Sequence, residues 1–121
     1  MPDSTSTHVD GPMAAGISDA VVKIMHDYTG RGPTRARTDI NTNSVVVLMT
    51  DTLTKGERVL VDSGRDELVL QSRREYQKVM REDLIATVEE RTDREVIAFM
   101  SENHIDPDMA AEIFVLARDA E

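Results

Sequence analysis

The stretch Gly30-Arg31-Gly32-Pro33-Thr34-Arg35-Ala36-Arg37-Thr38 puts three arginines within seven residues, in a chain whose net charge is -9. No acidic residue lies among them. Guanidinium groups offer paired N–H donors that fit a carboxylate, phosphate or bicarbonate two bonds at a time. Gly30 and Gly32 let the backbone approach a ligand closely, and Pro33 stiffens the loop. Gly30, Arg31, Gly32, Thr34, Arg35 and Arg37 are therefore the candidate contacts for a small anion or for an acidic patch on a partner. The loop lacks the Gly-Lys-Ser/Thr ending of a Walker A loop. It is not a dinucleotide fingerprint either, because it follows a helix pattern and precedes a strand pattern. The competing reading is a helix-to-strand turn whose arginines pair with carboxylates on neighbouring elements.

A second cluster is Glu102-Asn103-His104-Ile105-Asp106-Pro107-Asp108. Its acidic residues and His104 alternate, and alternate side chains of an extended chain share a face. Glu102, His104 and Asp106 are weak candidates for a divalent metal. The spacing does not match an EF-hand loop. The competing reading is a polar hairpin turn in which Asp106 bonds its own backbone. As a general base His104 lacks an assignable Ser or Cys partner, since neighbouring Ser101 has the opposite strand parity. No catalytic constellation and no cofactor follow, and the expectation is a protein that is not an enzyme.

The elements that position these residues can be read from periodicity. Residues 1–16 hold Pro2, Gly11, Pro12 and Gly16 among Ser and Thr, and are expected to be a disordered leader. Ile17, Ala20, Val21, Ile24, Met25 and Tyr28 recur at helical steps, and Gly30 can end that helix. Arg35–Ile40 alternates, Asn41–Asn43 is a turn, and Ser44–Thr50 is β-branched, so a hairpin is predicted. Thr54-x-x-Glu57 fits a capping box that opens a short helix. Leu68, Val69, Tyr76, Val79, Met80, Leu84 and Val88 form one stripe of a long helix running to Thr92, about 40 Å at 1.5 Å per residue. Arg73 and Arg74 are expected on its solvated side. Glu95–Met100 and Ala111–Ala117 are strand candidates around the Asp106-Pro107-Asp108 turn, with a helix as the alternative for the last of them. The predicted fold is α+β: one domain over residues 17–121, two β-hairpins forming an antiparallel sheet covered by three helices.

Composition limits the function classes. The 121 residues allow one modest core, built from aliphatic residues because there are two Phe, two Tyr and no Trp. So thin a core favours burial of a further face in an oligomer, and a homodimer is expected. The absence of cysteine removes disulfides and thiolate chemistry and is compatible with a cytoplasmic protein. No secretory signal pattern is visible, and the longest apolar runs are too short to cross a bilayer. The acidic balance argues against nucleic acid as a partner. Eleven arginines against three lysines reflect either compositional bias or bidentate anion recognition.

Four segments together resemble one family: Tyr28-x-Gly30-Arg31-Gly32-Pro33-Thr34-x-Ala36-Arg37, Leu53-Thr54-x-x-Glu57, Arg81-x-x-Leu84-Ile85 and Ser101-x-Asn103-His104-Ile105-Asp106. The chain is similar to the MpsC-like family across Ile17 to Leu116. That family is a small bacterial domain named for a sodium-translocating, membrane-potential-generating system. The resemblance implies an accessory or regulatory subunit beside membrane subunits that move sodium or support inorganic-carbon uptake. It implies a cytoplasmic location, peripheral to the inner face of the membrane, and contact with a membrane transport subunit. It supplies no catalytic residues.

Overall fold

Ala14, Ile17, Ser18 and Val21 fall three and four residues apart and form the buried stripe of the first helix, α1 (Gly11–Thr29). The computed structural model describes residues 11–118. Within it, α1 starts at Gly11, so residues 11–16 are helical and not leader. Ala14 is buried there and extends the apolar stripe by a turn. Residues 1–10 of the expected leader lie outside the described residues.

The strands β1 (Arg35–Ile40) and β2 (Ser44–Thr50) form the first hairpin. Its register runs from Arg35 opposite Thr50 to Ile40 opposite Val45. Two helices follow, α2 (Lys55–Asp62) and α3 (Asp66–Thr92). The Thr54 side chain accepts from the Glu57 backbone N–H, and Glu57 accepts from that of Thr54, which completes the predicted capping box. The second hairpin joins β3 (Val96–His104) to β4 (Met109–Leu116). β4 is a strand, as preferred over a helix, and it inserts beside β2. The result is one antiparallel sheet in the order β1-β2-β4-β3.

One face of this sheet carries the core. Val45, Val47 and Met49 of β2 and Ala110, Phe114 and Leu116 of β4 pack against Ile17 and Val21 of α1 and Met80, Leu84 and Val88 of α3. Buried Ser18 Oγ and Thr38 Oγ1 meet at 2.7 Å and tie α1 to β1. The Tyr28 hydroxyl donates to Asp83 at 2.7 Å and ties α1 to α3.

The predicted α3 stripe divides. Val69, Met80, Leu84 and Val88 are buried, whereas Leu68, Tyr76 and Val79 are exposed. Leu68 and Val79 each precede a buried residue by one position, which turns them about 100° around the helix and away from the sheet.

α3 ends at Asp93, a non-glycine residue with φ 57° whose N–H bonds Glu89 O at 2.8 Å. A left-handed backbone suits glycine, and an anionic side chain at a helix C-terminus opposes the dipole. Asp93→Gly is expected to stabilise the fold by about 1 kcal/mol, read as a higher urea midpoint at unchanged slope.

Candidate functional site

The arginine corner divides into a structural half and an available half. Gly30 adopts φ +86° and donates to His26 O at 2.8 Å, ending α1. Gly32, at φ +55°, passes so near α1 that a Cβ would lie 3.1 Å from Val22 O. Both glycines thus fit the helix to the strand that follows. Arg31 donates to the backbone oxygens of Asp51 (2.9 Å) and Leu53 (3.1 Å) and pairs with the Asp51 carboxylate at 3.2 Å. Thr34 Oγ1 donates to the same carboxylate at 2.9 Å. Arg31 and Thr34 therefore hold the connection between β2 and α2. Arg35 stands opposite Thr50 in the ladder, and its side chain makes no hydrogen bond or ion pair with a described residue. Arg37 is exposed and reaches only Asp39, at 3.6 Å. Of the three arginines among the six candidates, Arg35 and Arg37 are the two whose side chains have no close partner among the described residues.

These two arginines border the outer face of the sheet. Thr38 is buried beneath α1, so by strand alternation Arg35, Arg37 and Asp39 point the other way. They share that face with Val46 and Leu48 of β2 and with Ala111, Ile113 and Val115 of β4. Met100, Glu102 and His104 of β3 complete it.

The metal candidates are dispersed. Glu102 and His104 stand on the outer face, while Asp106 lies in the exposed turn. His104 Nδ1 is 2.8 Å from Pro107 O. Among the described residues no three His, Asp or Glu side chains group as a metal would need. Asp108 has another role: it accepts from the N–H groups of Thr52 (3.0 Å) and Leu53 (2.9 Å) and from the Thr52 hydroxyl (2.7 Å). Desolvation opposes its charge, but these bonds outweigh it and hold the Asp108 carboxyl below its ordinary range.

The inner side of the sheet holds a site that the sequence reading missed. Arg73, expected in solvent, is largely buried. Its Nε and Nη2 clamp the Glu57 carboxylate at 2.9 and 2.6 Å. Its Nη1 donates to Thr52 Oγ1 and Asn103 Oδ1, each at 2.9 Å, and Nη2 also donates to Thr52 O at 2.8 Å. Desolvation acts to raise the Glu57 pKa, yet the Arg73 and Thr54 hydrogen bonds prevail and lower it.

Beside this network lies a cavity of about 250 Å³, walled by Met25, Tyr76, Gln77, Met80, Arg73 and Glu112 among others. Glu112 is 2% exposed, and its Oε1 has no hydrogen-bond partner. Ser101, directly across the β3–β4 pair, places a buried hydroxyl beside it. Burial pushes the Glu112 carboxyl up to about 7, and the Ser101 hydroxyl and Arg73 charge draw it back only in part.

Both residues carried a sequence signal. Arg73 lies four residues after buried Val69 and seven before buried Met80, on the core stripe of α3. Glu112 shares strand parity with Phe114 and Leu116.

The chain matches a family model described as "Na+-translocating membrane potential-generating system (MpsC)" over residues 10–118. No curated protein and no solved structure matches it.

The Glu112 proton is held more tightly in the folded than in the unfolded chain. The stability this gives is complete below the ordinary pKa of 4.5 and is lost as pH rises through about 7. That rise corresponds to about 3 kcal/mol. Glu112→Gln should match the wild type at pH 4 and exceed it at pH 8 by an amount of that order. Urea titrations in a buffer whose only cation is bulky N-methylglucamine make the comparison. Equal wild-type and variant stabilities at pH 8 would refute the assignment. Arg73→Ala should cost about 3 kcal/mol, since it strands the half-buried Glu57 carboxylate. Arg73→Lys should recover only part of that, because one ammonium cannot satisfy five acceptor contacts.

Proposed function

The chain belongs to the MpsC family, and from that premise we propose that it is a non-enzymatic accessory subunit of a sodium-translocating, membrane-potential-generating system. In this reading it works in the cytoplasm, at the inner face of the membrane. It docks on a membrane component through the outer face of its sheet, with Arg35 and Arg37 meeting an acidic patch or a bound anion.

The observation that carries the proposal is the make-up of that face. β2 and β4 read Ser-Val-Val-Val-Leu-Met-Thr and Met-Ala-Ala-Glu-Ile-Phe-Val-Leu. Strands so apolar on both sides are typical of strands buried on both sides. Here the helices cover one side only. On the other, an apolar centre is bordered by two arginines without strong partners, in an otherwise acidic protein. Such a patch, apolar within and charged at the edge, is the usual form of a docking surface. Among the described residues no helix is long and apolar enough to cross a membrane.

The sheet register favours a second reading, a homodimer through the same face. Arg37 pairs with Leu48, Leu48 with Ala111, and Ala111 with Glu102, so these four occupy one row across the sheet. A twofold axis parallel to the strands lays β1 of one copy over β3 of the other. Each Arg37 then faces a Glu102, and the contact is made twice.

Two measurements test these readings. Affinity co-purification from the cells that make the protein, membranes included, should recover an ion-transporting membrane protein identified by mass spectrometry. The Arg35→Ala/Arg37→Ala protein should lose it while keeping its thermal midpoint. Recovery of the bait chain alone sinks the accessory reading. Sedimentation equilibrium of the purified protein should give twice the chain mass, and Glu102→Arg should halve it. A single-chain mass for the wild type sinks the dimer.

A further inference from the structure

We propose that the cavity beside Glu112 is a binding site for a monovalent cation, which takes the place of the proton on the Glu112 carboxyl. The argument is a count of donors and charges.

All five N–H donors of Arg73 are committed, two to Glu57, two to Thr52 and one to Asn103. Arg73 therefore has nothing left with which to hold an anion. Its charge is matched by Glu57 at 2.6 Å. What remains is Glu112, which lines the cavity and whose Oε1 is buried and unpartnered. The charged and titratable groups around it are Arg73 and Tyr76 on α3 and Glu57 on α2. The nearby part of α1 contributes Met25 and Thr29, neither of which titrates.

With Glu112 ionised, the site holds one net negative charge. A single positive charge neutralises it. A divalent ion would leave an excess charge in a poorly solvated place, because the second carboxylate is already bound by Arg73. Thr29, Ser72 and Gln77, whose side chains carry neutral oxygens, also line the cavity and suit an alkali ion or the N–H groups of a small ammonium. The exchange balances: one cation enters, one proton leaves to solvent, and the net charge of the site stays unchanged. Raised proton affinity at Glu112 makes this exchange fall near neutrality.

The inference is independent of partner docking, and its test uses the purified protein alone. Thermal midpoints are compared in N-methylglucamine chloride and in sodium, potassium or methylammonium chloride at equal ionic strength, at pH 6 and pH 8. At least one of the three should raise the midpoint by about 5 °C at pH 8 and by less at pH 6. Glu112→Gln should remove the effect, and Arg35→Ala/Arg37→Ala should leave it in place. In unbuffered solution at pH 6, addition of the active salt should release close to one proton per chain. A sodium or potassium response identifies an inorganic ion, and a response to methylammonium alone identifies an organic ammonium. Three outcomes overturn the proposal: no midpoint shift with any salt, a shift that persists in Glu112→Gln, or binding without proton release.

Discussion

The Arg73 guanidinium joins four parts of the chain that share no other common partner. It leaves the N-terminal third of α3, grips Glu57 in the first turn of α2, takes both oxygens of Thr52 after β2, and reaches Asn103 on β3. Thr52 passes the connection on to Asp108 at the start of β4, which in turn caps the Leu53 N–H. Only a planar group with five fixed donors can satisfy these acceptors at once. Because the network is largely shielded from water, each bond is stronger than at the surface, and each missing one would cost more. α2, which buries no residue of its own, depends on this anchor.

Helices and strands were legible where one periodicity dominated. The 27-residue α3, the capping box at Thr54 and the strand parity of Arg35–Ile40 followed from spacing alone, since burial on one side imposes a period of 3.6 or 2. The N-terminal boundary was less legible. Gly11, Pro12 and Gly16 resemble a linker in composition, but a helix already nucleated at Ile17 can extend backwards when Ala14 adds to the same stripe. The breadth of the α3 stripe was overread for a related reason. Leu68 and Val79 are apolar, but only a face in contact with the sheet stays buried, and the remainder of the cylinder is open.

The candidate site was legible in charge and not in partnership. The cluster of arginines was visible, yet Arg31 looks like Arg35 until the chain brings Asp51 and the Leu53 carbonyl beside it. That contact spans about twenty residues of sequence and forms only when β2 pairs with β1 and turns. Arg73 and Glu112 show the converse. Their positions were marked by phase, Arg73 by the helical step from Val69 to Met80 and Glu112 by alternation with Phe114. A charged residue on a core stripe is easily read as solvated, because burial of a charge is costly unless the fold supplies partners. For Arg73 the fold supplies five. For Glu112 it supplies a neighbouring hydroxyl and a cavity, and the remaining cost appears as a carboxyl that keeps its proton near neutral pH.

The outer face and the inner cavity share β4. Ala111 and Ile113 point outward, while Glu112 between them points inward, so an ionised Glu112 stands beneath the apolar centre of the outer face. Salt screens poorly through such a layer, and the field of a buried carboxylate would reach the row that holds Arg37. Exchange of a proton for a monovalent cation does not alter that field, because both leave the site neutral. Only the empty, ionised cavity differs, and burial makes that state the least favourable of the three. Any coupling between the cavity and the outer face must therefore be carried by shape, through the packing of Met25, Tyr76 and Met80. The arginines at the edge of the sheet would read the same charge in either filled state.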